Sequence, residues 1–111
     1  GAFLKAGGKL SIPELETLVT KYIDNWAICD TMSSEVITRV LKKSPEEIRT
    51  LYTWVNSKNI WLRRAVLVTI VKLKNKIKSW REIASEILFA FSKENEPIVK
   101  KAIHWLERET N

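Results

Sequence analysis

Residues 11–30 read SIPELETLVTKYIDNWAICD, and this stretch holds the start signals of two successive helices. Ser11 and Glu14 have the spacing of a capping box, in which the serine oxygen accepts from a first-turn N–H and the glutamate reaches back to the cap. Asn25 is a second residue that can cap a helix. Between these caps the apolar residues recur with a period near 3.6, which indicates an amphipathic helix.

The same pattern occurs twice more along the chain. SPEE begins at Ser44 and SWRE at Ser79, each with a glutamate three residues after the serine, and Asn59 and Asn95 follow as second caps. The serines are 33 and 35 residues apart, and the asparagines 34 and 36. A unit of about 35 residues with two helices is typical of α-solenoids. The sequence therefore predicts an all-α fold, an α-solenoid of about three HEAT-like helix pairs (six helices), with an ordinary six-helix bundle as the alternative.

Composition predicts one ordered, helix-rich domain. The 111 residues are 45% hydrophobic and include only three Gly and three Pro. All three glycines fall in GAFLKAGGKL, so we expect residues 1–10 to be a linker or cloning remnant and residues 11–111 to be the repeat domain, part of a longer solenoid. The single cysteine, Cys29, is interpreted as a core residue of a cytoplasmic protein. No apolar run reaches the ~18 residues of a membrane span.

The net charge of +6 is unevenly distributed. No acid lies between Glu47 and Glu82, although nine lysines and arginines do. Cations spread over several elements can neutralise phosphates, which favours a nucleic-acid partner, with a merely solvated basic face as the alternative. The sequence has no second histidine, no cysteine cluster and no glycine-rich phosphate loop, so it predicts neither a metal site nor a cofactor.

Counting five residues past each asparagine gives Asp30, Arg64 and Lys100 at matching positions of neighbouring second helices. Trp26 precedes Asp30 by one helical turn, so both side chains share a face. Two interpretations of Asp30 stay open at this point. It forms an ion pair with Arg64 in the adjacent repeat, or its carboxylate faces a ligand.

The five tryptophans divide into two groups by their place in the repeat. Trp26, Trp61 and Trp105 align with the charged positions and are candidates either for packing or for contact with a ligand. Trp54 and Trp80 are interpreted as packing residues.

Three motifs together carry a family resemblance: DNWAICD at 24–30, SKNIWLRRA at 57–65 and VKKAIHWLERE at 99–109. In this order and spacing they resemble the AlkD-like family of DNA alkylation repair proteins, which are HEAT-like-repeat DNA glycosylases. The resemblance runs from about residue 12 to residue 109. It implies an N-glycosylase that releases cationic N3- or N7-alkylated purines from duplex DNA.

The resemblance also assigns residues. It implies that the catalytic carboxylate is Asp30, the aromatic residue one turn earlier is Trp26, the active-site arginine is Arg64 and the second sugar-flanking aromatic is Trp105. The DNA-binding residues expected around them are Trp61, Arg63, Lys58, Lys100 and Lys101. The implied partner is duplex DNA containing alkylated purines, bound by a monomeric, cytoplasmic protein without cofactor or membrane contact.

Two other classes of function remain alternatives from the sequence. One is a noncatalytic HEAT-like solenoid that binds DNA or a protein partner, and the other is a purely structural helical module. His104 stands where the family tends to have a small residue, and we interpret it as a surface or packing residue.

Overall fold

The structure, a computed structural model, describes residues 11–111. Within that range the chain forms six helices and no strand, arranged as three consecutive pairs. The predicted all-α solenoid of three helix pairs is confirmed. The predicted linker at residues 1–10 lies outside the described residues.

The helices differ in regularity. They are α1 (Ile12–Tyr22), α2 (residues 26–43), α3 (residues 45–56), α4 (Ile60–Lys72), α5 (Trp80–Ala90) and α6 (Pro97–Thr110). Helix α2 consists of Trp26–Met32, a π-helical turn at Ser33–Ile37, and Thr38–Lys43. Helix α3 consists of Pro45–Glu47, Ile48–Thr53 and Trp54–Asn56, and its two end segments are 3₁₀-helical.

Helix α4 is the centre of the fold. Nine of its thirteen residues are buried. A helix that is apolar on all sides belongs in the interior, because every face then gains from removal from water. Helix α4 packs most extensively against α6 and also contacts the other four helices.

Side-chain hydrogen bonds connect neighbouring repeats. Among the second helices, Arg64 of α4 donates to Asp30 of α2 and to the carbonyl of Ile98 in α6. Among the first helices, the Tyr52 hydroxyl of α3 donates to Glu86 of α5 over 3.3 Å. Each of these pairs is 34 residues apart. A stack of equivalent repeats produces such constant spacing, which matches the repeat length read from the sequence.

Three of the predicted caps form. The Ser11 hydroxyl accepts from the Glu14 N–H and the Glu14 carboxylate accepts from the Ser11 N–H, which completes the capping box of α1. The Asn25 side chain accepts from the Ile28 N–H at the start of α2. The Asn59 side chain accepts from two N–H groups at the start of α4.

Three other predicted caps are wrong. Ser44 and Ser79 directly precede α3 and α5, but neither side chain makes a capping hydrogen bond, and Ser79 has a left-handed backbone with φ 60°. Asn95 is not the cap of α6 either. Pro97 occupies the first helical position, where its missing N–H costs nothing, so the cap is Glu96. Five residues past the true cap is Lys101, so the predicted match of Lys100 with Asp30 and Arg64 is wrong by one residue.

The two tryptophans interpreted as packing residues are buried, as predicted. The indole N–H of Trp54 donates to the Glu16 carboxylate over 2.9 Å and joins α3 to α1. The indole N–H of Trp80 donates to the Ile70 carbonyl over 2.7 Å and joins the start of α5 to α4. Both rings therefore remove apolar area from water while their polar atoms stay paired.

Candidate active site

The first residues of α2 place an aromatic ring and a carboxylate on one face. Because Asn25 begins the helix, Trp26 lies in its first turn and Asp30 one turn later. Trp26 is 57% exposed, which is unusual for so large an apolar side chain. Asp30 is only partly exposed. The Trp26 ring is thus accessible to solvent or a ligand, and the neighbouring Asp30 carboxylate is less exposed than the ring.

The carboxylate of Asp30 forms a two-pronged ion pair with Arg64. Arg64 Nε donates to Asp30 Oδ1 over 2.9 Å, and Arg64 Nη2 donates to Oδ2 over 2.8 Å. Arg64 Nη1 donates to the Ile98 carbonyl over 2.6 Å. Of the two interpretations that the sequence left open, the interhelix ion pair is therefore present, and it ties α2, α4 and α6 together.

The ion pair also leaves the carboxylate available on one side. The side chain of Arg64 is only 8% exposed, whereas that of Asp30 is 19% exposed. Each carboxylate oxygen has lone pairs beyond the one that a single donor uses. Arg64 therefore fixes the orientation of Asp30 from the buried side, while part of the carboxylate still meets solvent. Fixed orientation and partial exposure are what a charge-stabilising carboxylate requires.

Cys29, next to Asp30, is a packing residue as predicted. Its side chain is fully buried, and its Sγ donates to the Trp61 carbonyl over 3.3 Å. Burial, followed by the negative charge of Asp30, raises the pKa of the Cys29 thiol to about 12. The thiol is therefore protonated at neutral pH and lacks nucleophilic character.

The turn after Asp30 departs from a regular helix. Ser33–Ile37 is π-helical and packs against α4, and the Ser33 hydroxyl donates to the Cys29 carbonyl over 2.9 Å. Such turns occur frequently at functional sites. This π-helical turn was not predicted, because its residues are also found in regular α-helices.

Trp105 lies further along the same set of helices. Two helical turns, about 10 Å, separate it from Ile98, the residue that Arg64 contacts. The Lys72 ammonium group of α4 lies 5.0 Å from the centroid of the Trp105 ring, a cation–π geometry. The structure therefore places Trp105 two turns from the contact that Arg64 makes with α6, and Lys72 is a neighbour that sequence reasoning did not assign to it.

Arg63 has a different environment from the other predicted DNA-binding residues. Its Nε and Nη2 donate to the Glu94 carboxylate over 2.8 and 3.1 Å, and its Nη1 donates to the Ser57 carbonyl over 2.8 Å. These contacts join the start of α4 to the segment before α6. The geometry therefore assigns Arg63 a structural contact, and we leave it out of the DNA interface proposed below.

Glu94 responds electrostatically to this contact. Partial burial opposes ionisation of the Glu94 carboxyl. Hydrogen bonds from Arg63 and from the backbone N–H groups of Glu96 and Asn95, together with the positive charge of Arg63, outweigh that effect. The pKa of Glu94 is therefore lowered. The sequence placed no partner beside Arg63, because the two residues are 31 positions apart and off the 34-residue spacing.

The remaining predicted DNA-binding residues lie at the surface. Lys58 precedes α4, and Lys100 and Lys101 lie in the first turns of α6; all three are exposed, and none forms an ion pair within residues 11–111. Trp61 is half-buried and packs partly against the core. The three lysines are thus available to phosphates, and Trp61 is shared between packing and surface.

The described range offers neither a cluster of metal ligands nor a membrane-spanning helix. Residues 11–111 contain no group of three or more His, Cys, Asp or Glu side chains close enough to hold a metal ion. Within the same range no helix has the length and apolar character needed to cross a membrane.

Comparison with known protein families identifies a match. The model of the family described as "DNA alkylation repair enzyme" matches residues 4–110. Neither a curated protein nor a solved structure matches the chain. The family match covers all three motifs and every candidate site residue discussed above.

Proposed function

The chain belongs to the DNA alkylation repair enzyme family, and we propose that it is a DNA N-glycosylase that excises cationic N3- or N7-alkylated purines from duplex DNA. The observation that carries the proposal is the Asp30 carboxylate, held by Arg64 from its buried side and flanked one turn earlier by the exposed ring of Trp26. We further expect a monomer located in the cytoplasm.

The proposed chemistry follows from charge. Cleavage of an N-glycosidic bond builds positive charge on the sugar as the base departs, so a fixed carboxylate near the anomeric carbon lowers the barrier. Asp30 takes this role and orients or deprotonates the attacking water. An alkylated purine is already cationic and leaves as a neutral base, so no general acid is required. One carboxylate is therefore sufficient.

The neighbouring residues have distinct roles in the proposal. Trp26 presents its ring face to the sugar, where cation–π attraction favours the developing charge, and Trp105 is the second flanking aromatic. Arg64 is the active-site arginine of the proposal and holds Asp30 in one orientation from its buried side. Because Arg64 is mostly engaged within the protein, we expect phosphate contacts to come chiefly from the exposed lysines.

Release of free base tests the activity directly. The full chain is incubated with duplex DNA carrying 7-methylguanine, and the released base is measured by chromatography against unmethylated duplex. We expect release by the wild-type chain and a loss of at least about 100-fold in Asp30→Asn. Asp24→Asn is the matched control, since Asp24 is an exposed carboxylate beside the same cap, and it should retain release.

One observation favours the noncatalytic alternative, a HEAT-like solenoid that binds DNA or a protein. Both oxygens of Asp30 already accept from Arg64, as in a purely structural tie. Binding of undamaged duplex over a salt series separates these cases. If Lys58, Lys100 and Lys101 each contact one phosphate, the slope of log K against log salt is about −3. A slope near zero excludes both the glycosylase and a noncatalytic DNA-binding protein. A steep slope without release of free base supports a noncatalytic DNA-binding protein.

A further inference from the structure

A cavity lies away from the Asp30–Arg64 pair, where the end of α2 and the start of α3 meet the segment before α5. It encloses about 230 Å³. That volume is about eight times the share of one water molecule, so it has room for a single nucleobase. Lys42 lines it and follows Asp30 by twelve residues of α2, which corresponds to roughly 18 Å of helix. The cavity is therefore separate from the proposed catalytic site.

The charged residues that line this cavity are all cations. They are Lys42 from the last turn of α2, and Lys76 and Lys78 from the segment between α4 and α5. No acid lines the cavity, and the three lysines form no ion pair within residues 11–111. Helix α5 begins two residues after Lys78 without a side-chain cap, so the positive end of its dipole adds to the field, with Glu82 as the acid of that first turn.

The remaining wall of the cavity is aliphatic. It is formed by Leu41, Ile48, Ile77 and Ile83, with Pro45 at the start of α3. A ligand for such a site combines an apolar body with more than one negative charge. A fatty acid carries one charge, whereas a phosphate group carries about −1.5 to −2 at neutral pH. Nucleobases are bound by stacking between apolar side chains, with phosphates held by lysines.

We propose that this cavity, the basic cavity, binds a nucleoside phosphate, with the base between the isoleucines and the phosphate on Lys42, Lys76 and Lys78. The ligand is an unpaired nucleotide of a DNA strand or a free nucleotide. Among residues 11–111, no hydrogen-bonding side chain other than the lysines lines the cavity, so binding is independent of base identity. The proposal does not depend on glycosylase activity, because none of the lining residues belongs to the Asp30–Arg64 site.

Isoleucine methyl NMR tests where the ligand binds. The full chain, ¹³C-labelled at isoleucine methyl groups, is titrated with dTMP and with the hexanucleotide of thymidine. We expect saturable shifts at Ile48, Ile77 and Ile83, and none at Ile28, which is exposed at the other end of α2. Shifts with both ligands identify a site for free nucleotides, and shifts with the hexanucleotide alone identify a site for a strand. If neither dTMP nor the hexanucleotide shifts the cavity isoleucines, the proposal is wrong.

Two matched comparisons separate a nucleotide site from a general basic surface. The double variant Lys76→Gln/Lys78→Gln should weaken hexanucleotide binding at least about tenfold. The control, Lys21→Gln/Lys93→Gln, removes the same charge from exposed positions elsewhere. It should change hexanucleotide binding less than about threefold. An abasic hexamer with the same phosphates should bind the wild-type chain about tenfold more weakly, since burial of a base against the aliphatic wall is lost. Equal affinity for the abasic and the thymidine hexamer would refute the proposal.

Discussion

Replacing Asp30 by Asn removes one charge from a pair whose other member is almost completely buried. The side chain of Arg64 is 8% exposed, so its charge would lose, away from water, the one carboxylate that it contacts among the described residues. Breaking a buried pair in this way costs about 3–5 kcal/mol. The asparagine keeps one acceptor oxygen and Asp30 is 19% exposed, so we take a lower value of about 2–3 kcal/mol. For a domain of this size, that lowers the melting temperature by about 10–20 °C.

A double-mutant cycle measures the pair itself. Arg64→Gln removes the buried charge, so Asp30→Asn/Arg64→Gln leaves no unpaired ion. We expect a coupling free energy of about 2 kcal/mol, with the double variant more stable than the sum of the single losses predicts. The assay is urea unfolding followed by tryptophan fluorescence, with Asp24→Asn as a control that changes stability by less than about 0.5 kcal/mol. Additive losses within that error would refute the ion pair as a source of stability.

Three further variants test other contacts. Glu94→Gln should lower unfolding free energy by about 1 kcal/mol at neutral pH. The pKa of Glu94 is lowered in the folded state from its ordinary value of 4.5. The stability that ionised Glu94 contributes is therefore present above pH 4.5 and is lost as the pH falls from 4.5 through the lowered pKa. The difference in unfolding free energy between Glu94→Gln and wild type should vanish in acid. Thr69→Val should raise the melting temperature by a few degrees, since the buried Thr69 hydroxyl has no hydrogen-bond partner within the described residues; a lower melting temperature would contradict this. Trp26→Ala should cost less than about 1 kcal/mol of stability in urea unfolding, because the ring is mostly exposed, yet slow base release about five- to tenfold. Unchanged release would remove Trp26 from the site.

Helix starts were predicted correctly where the capping residue and the first helical turn determine them without contacts from other elements. The capping box at Ser11 and the caps at Asn25 and Asn59 form because a short polar side chain can reach the first-turn N–H groups without help from other elements. The caps at Asn25 and Asn59 are 34 residues apart, which is the spacing of the Asp30–Arg64 contact. The Asp30–Arg64 pair was accessible for the same reason, since both residues occupy the same offset from their caps.

Predictions failed where packing or a neighbouring proline decides the backbone. Ser79 has the spacing of a cap, but the hydrogen bond from Trp80 to the Ile70 carbonyl fixes the start of α5, and Ser79 takes a left-handed backbone before it. Asn95 is wrong as the cap of α6 because Pro97 occupies the first helical position, which makes Glu96 the cap. That signal was in the sequence and would have given the correct register.

Some of the candidate site was not accessible from the sequence. The contact of Arg63 with Glu94 joins a helix to a connecting segment, and no periodic rule relates the two. The position of Lys72 over Trp105 depends on how α4 and α6 pack. In both contacts a cation that the charge pattern alone would assign to DNA instead binds another side chain of the protein.

The most direct test of the central claim is the single-turnover rate constant for release of 7-methylguanine from methylated duplex DNA. It is measured for wild type, Asp30→Asn and Asp30→Asn/Arg64→Gln at a temperature where all three are folded. We predict release by wild type and a loss of at least about 100-fold in both variants, including the double variant, whose stability is partly restored. No release by wild type, or release by the double variant within a few-fold of wild type, would contradict the role of Asp30 in glycosidic bond cleavage.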